Sequence, residues 1–80
     1  MVAKYEVFGA AWCSYCKMAV QLLEEAGLPY DYYDITEGDG LTQLEKRLNG
    51  EPFRTIPRVF LLDRLIGGYE DLKKELNHDE

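Results

Sequence analysis

Up to Ile35 the chain alternates strand-like and helix-like patterning, and that order restricts the topologies open to it more than any other feature. Lys4 to Phe8 alternates, with Tyr5 and Val7 on one face, the period of a strand. Ala19, Leu22, Leu23 and Ala26 then fall at i, i+3, i+4, i+7, a single helical stripe. Gly27 follows as a C′ cap, and Pro29 blocks continuation. Tyr30 to Ile35 is aromatic and β-branched, which predicts a second strand. A strand, a helix and a strand in succession imply a right-handed crossover and a parallel strand pair.

The remainder extends this unit. Thr36 to Gly40 reads as a loop in which Asp39 is placed to cap a helix. Leu41, Leu44 and Leu48 mark that second helix, which ends near Asn49 and Gly50. Arg58 to Leu62 is the third strand, and its apolar run, Val59 to Leu62, suits burial on both faces. Asp63-Arg64 is a turn, Leu65-Ile66 a short strand broken by Gly67-Gly68, and Tyr69, Leu72 and Leu76 form the face of a last helix. The predicted order is β-α-β-α-β-β-α. It is satisfied by an α/β fold with a four-stranded mixed sheet flanked by three helices, in one domain over residues 1–80. Periodicity gives these elements but not the order of strands in the sheet.

Composition narrows the functional classes. Eighty residues make a thin core, but 46% of them are hydrophobic, a globular and not a disordered balance. The net charge of −6 argues against general nucleic-acid binding, which rests on neutralising phosphates. The longest uncharged stretch, Val7 to Cys16, is too short to span a bilayer. The start shows no charged segment followed by an apolar one, so a cytoplasmic location is expected.

Chemistry concentrates at Cys13-Ser14-Tyr15-Cys16, between the first strand and the first helix. Two cysteines three positions apart close too small a loop to staple a fold, and in a reducing compartment such a pair is catalytic or metal-binding. A thiolate at a helix N-terminus is stabilised by unpaired N–H groups and the helix dipole. The effect matters because an ordinary thiol of pKa ~8.5 is only about 3% ionised at pH 7. Helical spacing puts both sulfurs on one side, so Cys13, at the exposed end, is the expected nucleophile and Cys16 the resolving thiol. Inert cysteines or half a zinc site are the competing readings. Zinc needs four ligands, and the one histidine is His78 in the tail.

Three segments together resemble the glutaredoxin family over nearly the whole chain. Trp12-Cys13-Ser14-Tyr15-Cys16 is similar to the family's Cys-Pro-Tyr-Cys site, and Arg54-Thr55-Ile56-Pro57-Arg58-Val59-Phe60 to its Thr-Val-Pro run with a flanking arginine. Gly67-Gly68-Tyr69-Glu70-Asp71-Leu72 matches its Gly-Gly-x-x-Asp-Leu. The resemblance implies a thioredoxin-like fold and a glutathione-dependent thiol–disulfide oxidoreductase acting on protein disulfides and glutathione mixed disulfides. It makes Pro57 a cis-proline facing the site, a state that costs only about 0.5–1 kcal/mol for X–Pro bonds. Thr55 and Ile56 would line the site, with the Ile56 backbone free to pair with an extended cysteine-containing substrate. Gly68, Glu70 and Asp71 would take the γ-glutamyl end of glutathione, with Asp71 facing its ammonium. Arg54 would meet its glycine carboxylate, Tyr15 would line the groove, and Trp12 and Arg58 would serve substrate docking. Plain helix capping by Glu70 and Asp71, and a solvated Arg54, are the alternatives.

The chain departs from the family at Ala10, where many members carry a basic residue. The departure implies weaker glutathione binding or compensation by Lys17, Lys46 or Arg47. Ser14 replaces a proline, and its hydroxyl could donate to the Cys13 sulfur. Trp12 is similar to thioredoxins and to a plastid glutaredoxin subclass with the same Trp-Cys-Ser-Tyr-Cys run. Some of its members hold a 2Fe–2S cluster between two subunits, with glutathione as co-ligand, and Cys13 would be the ligand here. Otherwise a monomer without metal is expected. Thioredoxin reductase is the alternative reductant, and ribonucleotide reductase is a common protein partner in the family.

Overall fold

The computed structural model describes residues 4–77, so His78 lies outside the described residues. The elements are β1 (Tyr5–Gly9), α1 (Ser14–Glu25), β2 (Tyr30–Asp34), α2 (Gly40–Arg47), β3 (Arg58–Leu61), β4 (Arg64–Gly67) and α3 (Tyr69–Asn77). The strands lie in the order β2-β1-β3-β4. β1 and β2 are parallel, as the crossover requires, while β3 runs antiparallel to β1 and to β4. This is the four-stranded mixed sheet of a thioredoxin-like fold.

Strand alternation divides the core in two. Tyr5, Val7 and Val59 meet Ala19 and Leu23 of α1 and Leu72 of α3 on one face. Phe8 and Phe60 meet Leu44 and Leu48 on the α2 side of the other. Phe8 stacks on Tyr33 at 4.9 Å and meets the Phe60 ring edge-on at 5.7 Å. Consecutive residues Val59 and Phe60 thus point into different clusters, the burial on both faces that their apolar run implies.

Several expectations at element ends are corrected. Ala26 is exposed at the C-cap, whereas Ala19 and Leu23 are buried as expected, Leu22 packs against them, and Cys16 joins the inward stripe of α1. Leu41 points outward from the first turn of α2. Asp39 precedes α2 as expected but makes no side-chain cap, because its carboxylate accepts from Gln43 Nε2 at 3.2 Å. Leu62 leaves the strand with φ +57 and sits exposed in the turn, so Arg64 already belongs to β4. Arg47 does not turn toward the cysteines. It pairs with Glu6, donates to the Leu62 carbonyl and lies 4.4 Å over the Phe60 ring, which ties α2 to the sheet.

Candidate active site

The strand-to-helix junction sets the geometry of the two cysteines. The Cys13 amide donates to the Ala10 carbonyl at 3.1 Å, turning the chain into α1. Cys13 is extended (φ −92, ψ 112) and occupies the N-cap, where its sulfur accepts the Cys16 amide at 3.2 Å. Capping side chains satisfy one of the four amides left open at a helix start. A sulfur in that role is most favoured when it carries negative charge. The amide of Cys16 takes the place that sequence reasoning gave to the Ser14 hydroxyl. On its other side the Cys13 thiol faces the Ile56 carbonyl at 3.7 Å.

The two thiols are unequal. Cys13 retains 8% of its surface and Cys16 none, so an approaching disulfide meets Cys13 first. Burial, and secondarily the hydrogen bond with Cys13, push the Cys16 thiol up to about 12, and the Ala10 backbone amide opposes them. Cys16 is therefore a thiol at neutral pH until something lowers the cost of its charge.

Beside Cys13 lies a groove of about 250 Å³. Its walls include Tyr15, Thr55, Ile56, Pro57, Gly68, Glu70 and Asp71, all expected at the site. The Ile56–Pro57 peptide is cis. The Arg58 guanidinium is oriented by Thr55, through its carbonyl at 3.0 Å and its hydroxyl at 2.9 Å, and its Nη2 lies beside Gly68, 3.6 Å from where a Cβ there would stand. Asp71 accepts the Gly68 amide at 3.2 Å, the reciprocal bond of a capping box at the start of α3. Gly67 allows this approach, since a Cβ there would collide with the Asp71 carboxylate, and its φ of +124 suits glycine.

Two expected residues fall elsewhere. Arg54 is exposed in the preceding loop and does not line the groove, whereas Arg58 does. Trp12 is 74% exposed next to Cys13, also outside the groove walls. Sequence reasoning missed Tyr69, assigning it only to the helix face. It lines the groove and packs its ring 5.7 Å from that of Tyr15, and its place between Gly68 and Glu70 was the available signal. Ala10 is fully buried against Cys13 and Cys16, so a lysine there would have to thread its stem out of the core.

Comparison with known proteins agrees with this geometry. Residues 5–66 match the family model described as Glutaredoxin. Glutaredoxin-1 of Gallus gallus is 39% identical over 74 residues, covering 89% of this chain and 71% of the relative. Glutaredoxin 1 of Escherichia coli strain K12 is 34% identical over 71 residues, covering 81% and 82%. Among solved structures, glutaredoxin 1 from Francisella tularensis complexed with cacodylate superposes with a TM-score of 0.78 at 26% identity, covering 98% of this chain and 96% of that one. The buckwheat glutaredoxin–glutathione complex gives 0.76 at 27% identity, covering 95% and 71%.

Proposed function

The chain belongs to the glutaredoxin family and is a thiol–disulfide oxidoreductase, and from that premise we propose that glutathione is its reductant and Cys13 its nucleophile. The observation that carries this reading is the groove. A cation at Arg58, the Ile56 peptide and the Asp71 carboxylate at the start of α3 line one concavity, with the Cys13 sulfur 3.7 Å from the Ile56 carbonyl. Glutathione offers a carboxylate, a cysteinyl peptide and a γ-glutamyl zwitterion to match them. Arg58, whose guanidinium lies beside Gly68, supplies a cation for a glutathione carboxylate. The cysteinyl backbone of glutathione pairs with Ile56, which sets its sulfur against Cys13. Its α-carboxylate meets the Gly68–Glu70 amides at the helix start and its ammonium meets Asp71. A relative of known structure, from buckwheat, is described as a complex with glutathione.

In the reaction, the Cys13 thiolate attacks one sulfur of the substrate disulfide. A Cys13–substrate bond forms and the other sulfur leaves as a thiolate that takes up a proton. With a glutathionylated substrate the mixed disulfide is Cys13–glutathione, which a second glutathione cleaves. With a protein disulfide Cys16 attacks Cys13, giving the Cys13–Cys16 disulfide, which two glutathione molecules reduce. This chemistry suits a reducing compartment such as the cytosol. A 2Fe–2S cluster at Cys13 would draw its remaining ligands from glutathione and a second copy, since no three His, Cys, Asp or Glu side chains converge among the described residues.

The test is NADPH consumption in a glutathione and glutathione-reductase coupled assay with a small glutathione mixed disulfide, using Cys13→Ser as control. Turnover that disappears in the variant is expected. A folded, reduced parent that turns over only when thioredoxin reductase replaces the glutathione system would overturn the proposal.

A further inference from the structure

Outside the glutathione groove, the β1–α1 turn, α1 and β2 form a second concavity of about 290 Å³ lined by Ala10, Ala11, Lys17, Val20, Tyr30 and Tyr32. Apart from Lys17, named above as a compensating cation, no residue of the glutathione reading lines it. Gly9 precedes Ala10, one of the residues lining this concavity. A Cβ built on Gly9 would stand 2.5 Å from Cys16 Sγ and 3.0 Å from the Tyr32 hydroxyl oxygen. The resolving sulfur and the phenol therefore converge on the one point that residue 9 leaves vacant. Among the described residues the Tyr32 hydroxyl makes no hydrogen bond, whereas that of neighbouring Tyr30 is committed to Glu24 at 2.6 Å.

We propose that Tyr32 is a positioning residue for the resolving step, its hydroxyl donating a hydrogen bond to the Cys16 sulfur as that sulfur becomes a thiolate. The inference rests on the dithiol route and not on the identity of the reductant. The need is physical. Cys16 has no exposed surface, and its thiolate must form inside the protein before it can attack Cys13. The Cys13 sulfur, which already accepts the Cys16 amide, cannot donate to it once bound in a mixed disulfide. The Ala10 amide from the β1–α1 turn supports the thiolate, and Tyr32 would add a second donor. The other charged groups at this place are Lys17, which lines the concavity from α1, and Asp34, at the end of β2. The Asp34 carboxyl is held below the usual carboxylate range by the hydroxyl and amide of Thr36, so it adds negative charge and offers no proton. Burial first, and then the charges of Cys16 and Asp34, push the Tyr32 phenol up to about 12, so it keeps its proton and remains a donor.

The step balances without another reagent. The Cys16 thiol proton is released to solvent. The thiolate attacks Cys13 Sγ, the Cys13–Cys16 bond forms and the Cys13–substrate bond breaks. The departing thiolate is protonated from solvent.

Stopped-flow reaction of the reduced protein with excess dithiobis(nitrobenzoate) isolates this step with no glutathione present. Attack by Cys13 releases one chromophore at a rate that scales with reagent. Attack by Cys16 on the mixed disulfide releases the second at a rate that does not. Tyr32→Phe should slow the second phase about tenfold at pH 7, the low end for a hydrogen bond to a charged group, and displace its pH profile upward by about one unit. A parental rate and profile in the variant would overturn the inference. So would a uniform slowing without displacement, the mark of a merely structural effect. A parent lacking the second phase would overturn it together with the dithiol route, while leaving the coupled assay to judge glutathione separately.

Discussion

Gly9→Ala is the substitution for which sequence intuition and the structure give opposite signs. Gly9 is not among the positive-φ residues, so alanine fits its backbone. On unfolded-state entropy alone the change would stabilise by about 0.4–1 kcal/mol. The space is the obstacle. The new methyl would stand 2.5 Å from Cys16 Sγ, 2.9 Å from Cys16 Cβ and 3.0 Å from the Tyr32 oxygen, against the ~3.5–4.0 Å of an unstrained carbon contact. None of the partners yields easily. Cys16 Cβ is rigidly attached to α1, and β1 is paired on both sides, with β2 and with β3. The Gly9 carbonyl also accepts the Ile35 amide at 2.9 Å. Overpacking of this kind costs typically about 1–3 kcal/mol, and overlap with a Cβ places it at the upper end. The net expectation is a loss of about 1–2 kcal/mol. For a domain of this size it lowers the melting temperature by roughly 4–16 °C. Urea unfolding of the fully reduced proteins, followed by circular dichroism, measures it directly. A Gly9→Ala protein as stable as its parent, or more stable, would refute the close approach of β1 and α1 from which the argument starts.

Two further outcomes follow from the same geometry. The Cys16 thiol is held above its unfolded value, so the stability it contributes is complete below about pH 9 and is lost as pH rises toward about 12. Relative to Cys16→Ala, the reduced parent should lose up to about 1.4 kcal/mol per pH unit across that window in paired urea titrations, and parallel curves would contradict the burial of Cys16. In the glutathione groove, Asp71→Ala removes the acceptor for the Gly68 amide and should cost about 0.5–2 kcal/mol of stability. Asp71→Asn keeps a capping oxygen but not the charge, so it should retain most of that stability while raising KM for glutathione in the coupled assay. An unchanged KM would remove Asp71 from the glutathione reading.

Which parts of this molecule were legible beforehand follows from what each signal measures. Local pattern reports one element at a time, and hydrophobic period, strand-forming composition and turn residues together located all seven elements. Pattern failed at ends, where burial depends on a partner and not on period. Ala26 and Leu41 keep the right spacing but stand at the C-cap of α1 and in the first turn of α2, where they lie exposed. Leu62 continues the apolar run of β3 but has already entered the turn. Pattern also could not separate Arg54 from Arg58, since both flank the same Thr-Ile-Pro run. The register does, because Arg58 begins β3 opposite Phe8, and its guanidinium folds back over Thr55 while Arg54 remains in the loop before it. Tyr32 was the hardest to see. In Tyr30–Asp34 its aromatic neighbours carry the same strand signal, and nothing local marks it out. Its relation to Cys16 exists only once β2 lies beside β1, Tyr32 stands level with Val7, and α1 brings Cys16 down onto Gly9. Three elements distant in sequence must be assembled before the missing side chain at residue 9 acquires a meaning. A site made by an absence at the crossing of a helix and two strands therefore leaves no trace in periodicity, whereas a site made by capping, such as Cys13 at the start of α1, is written within four consecutive residues.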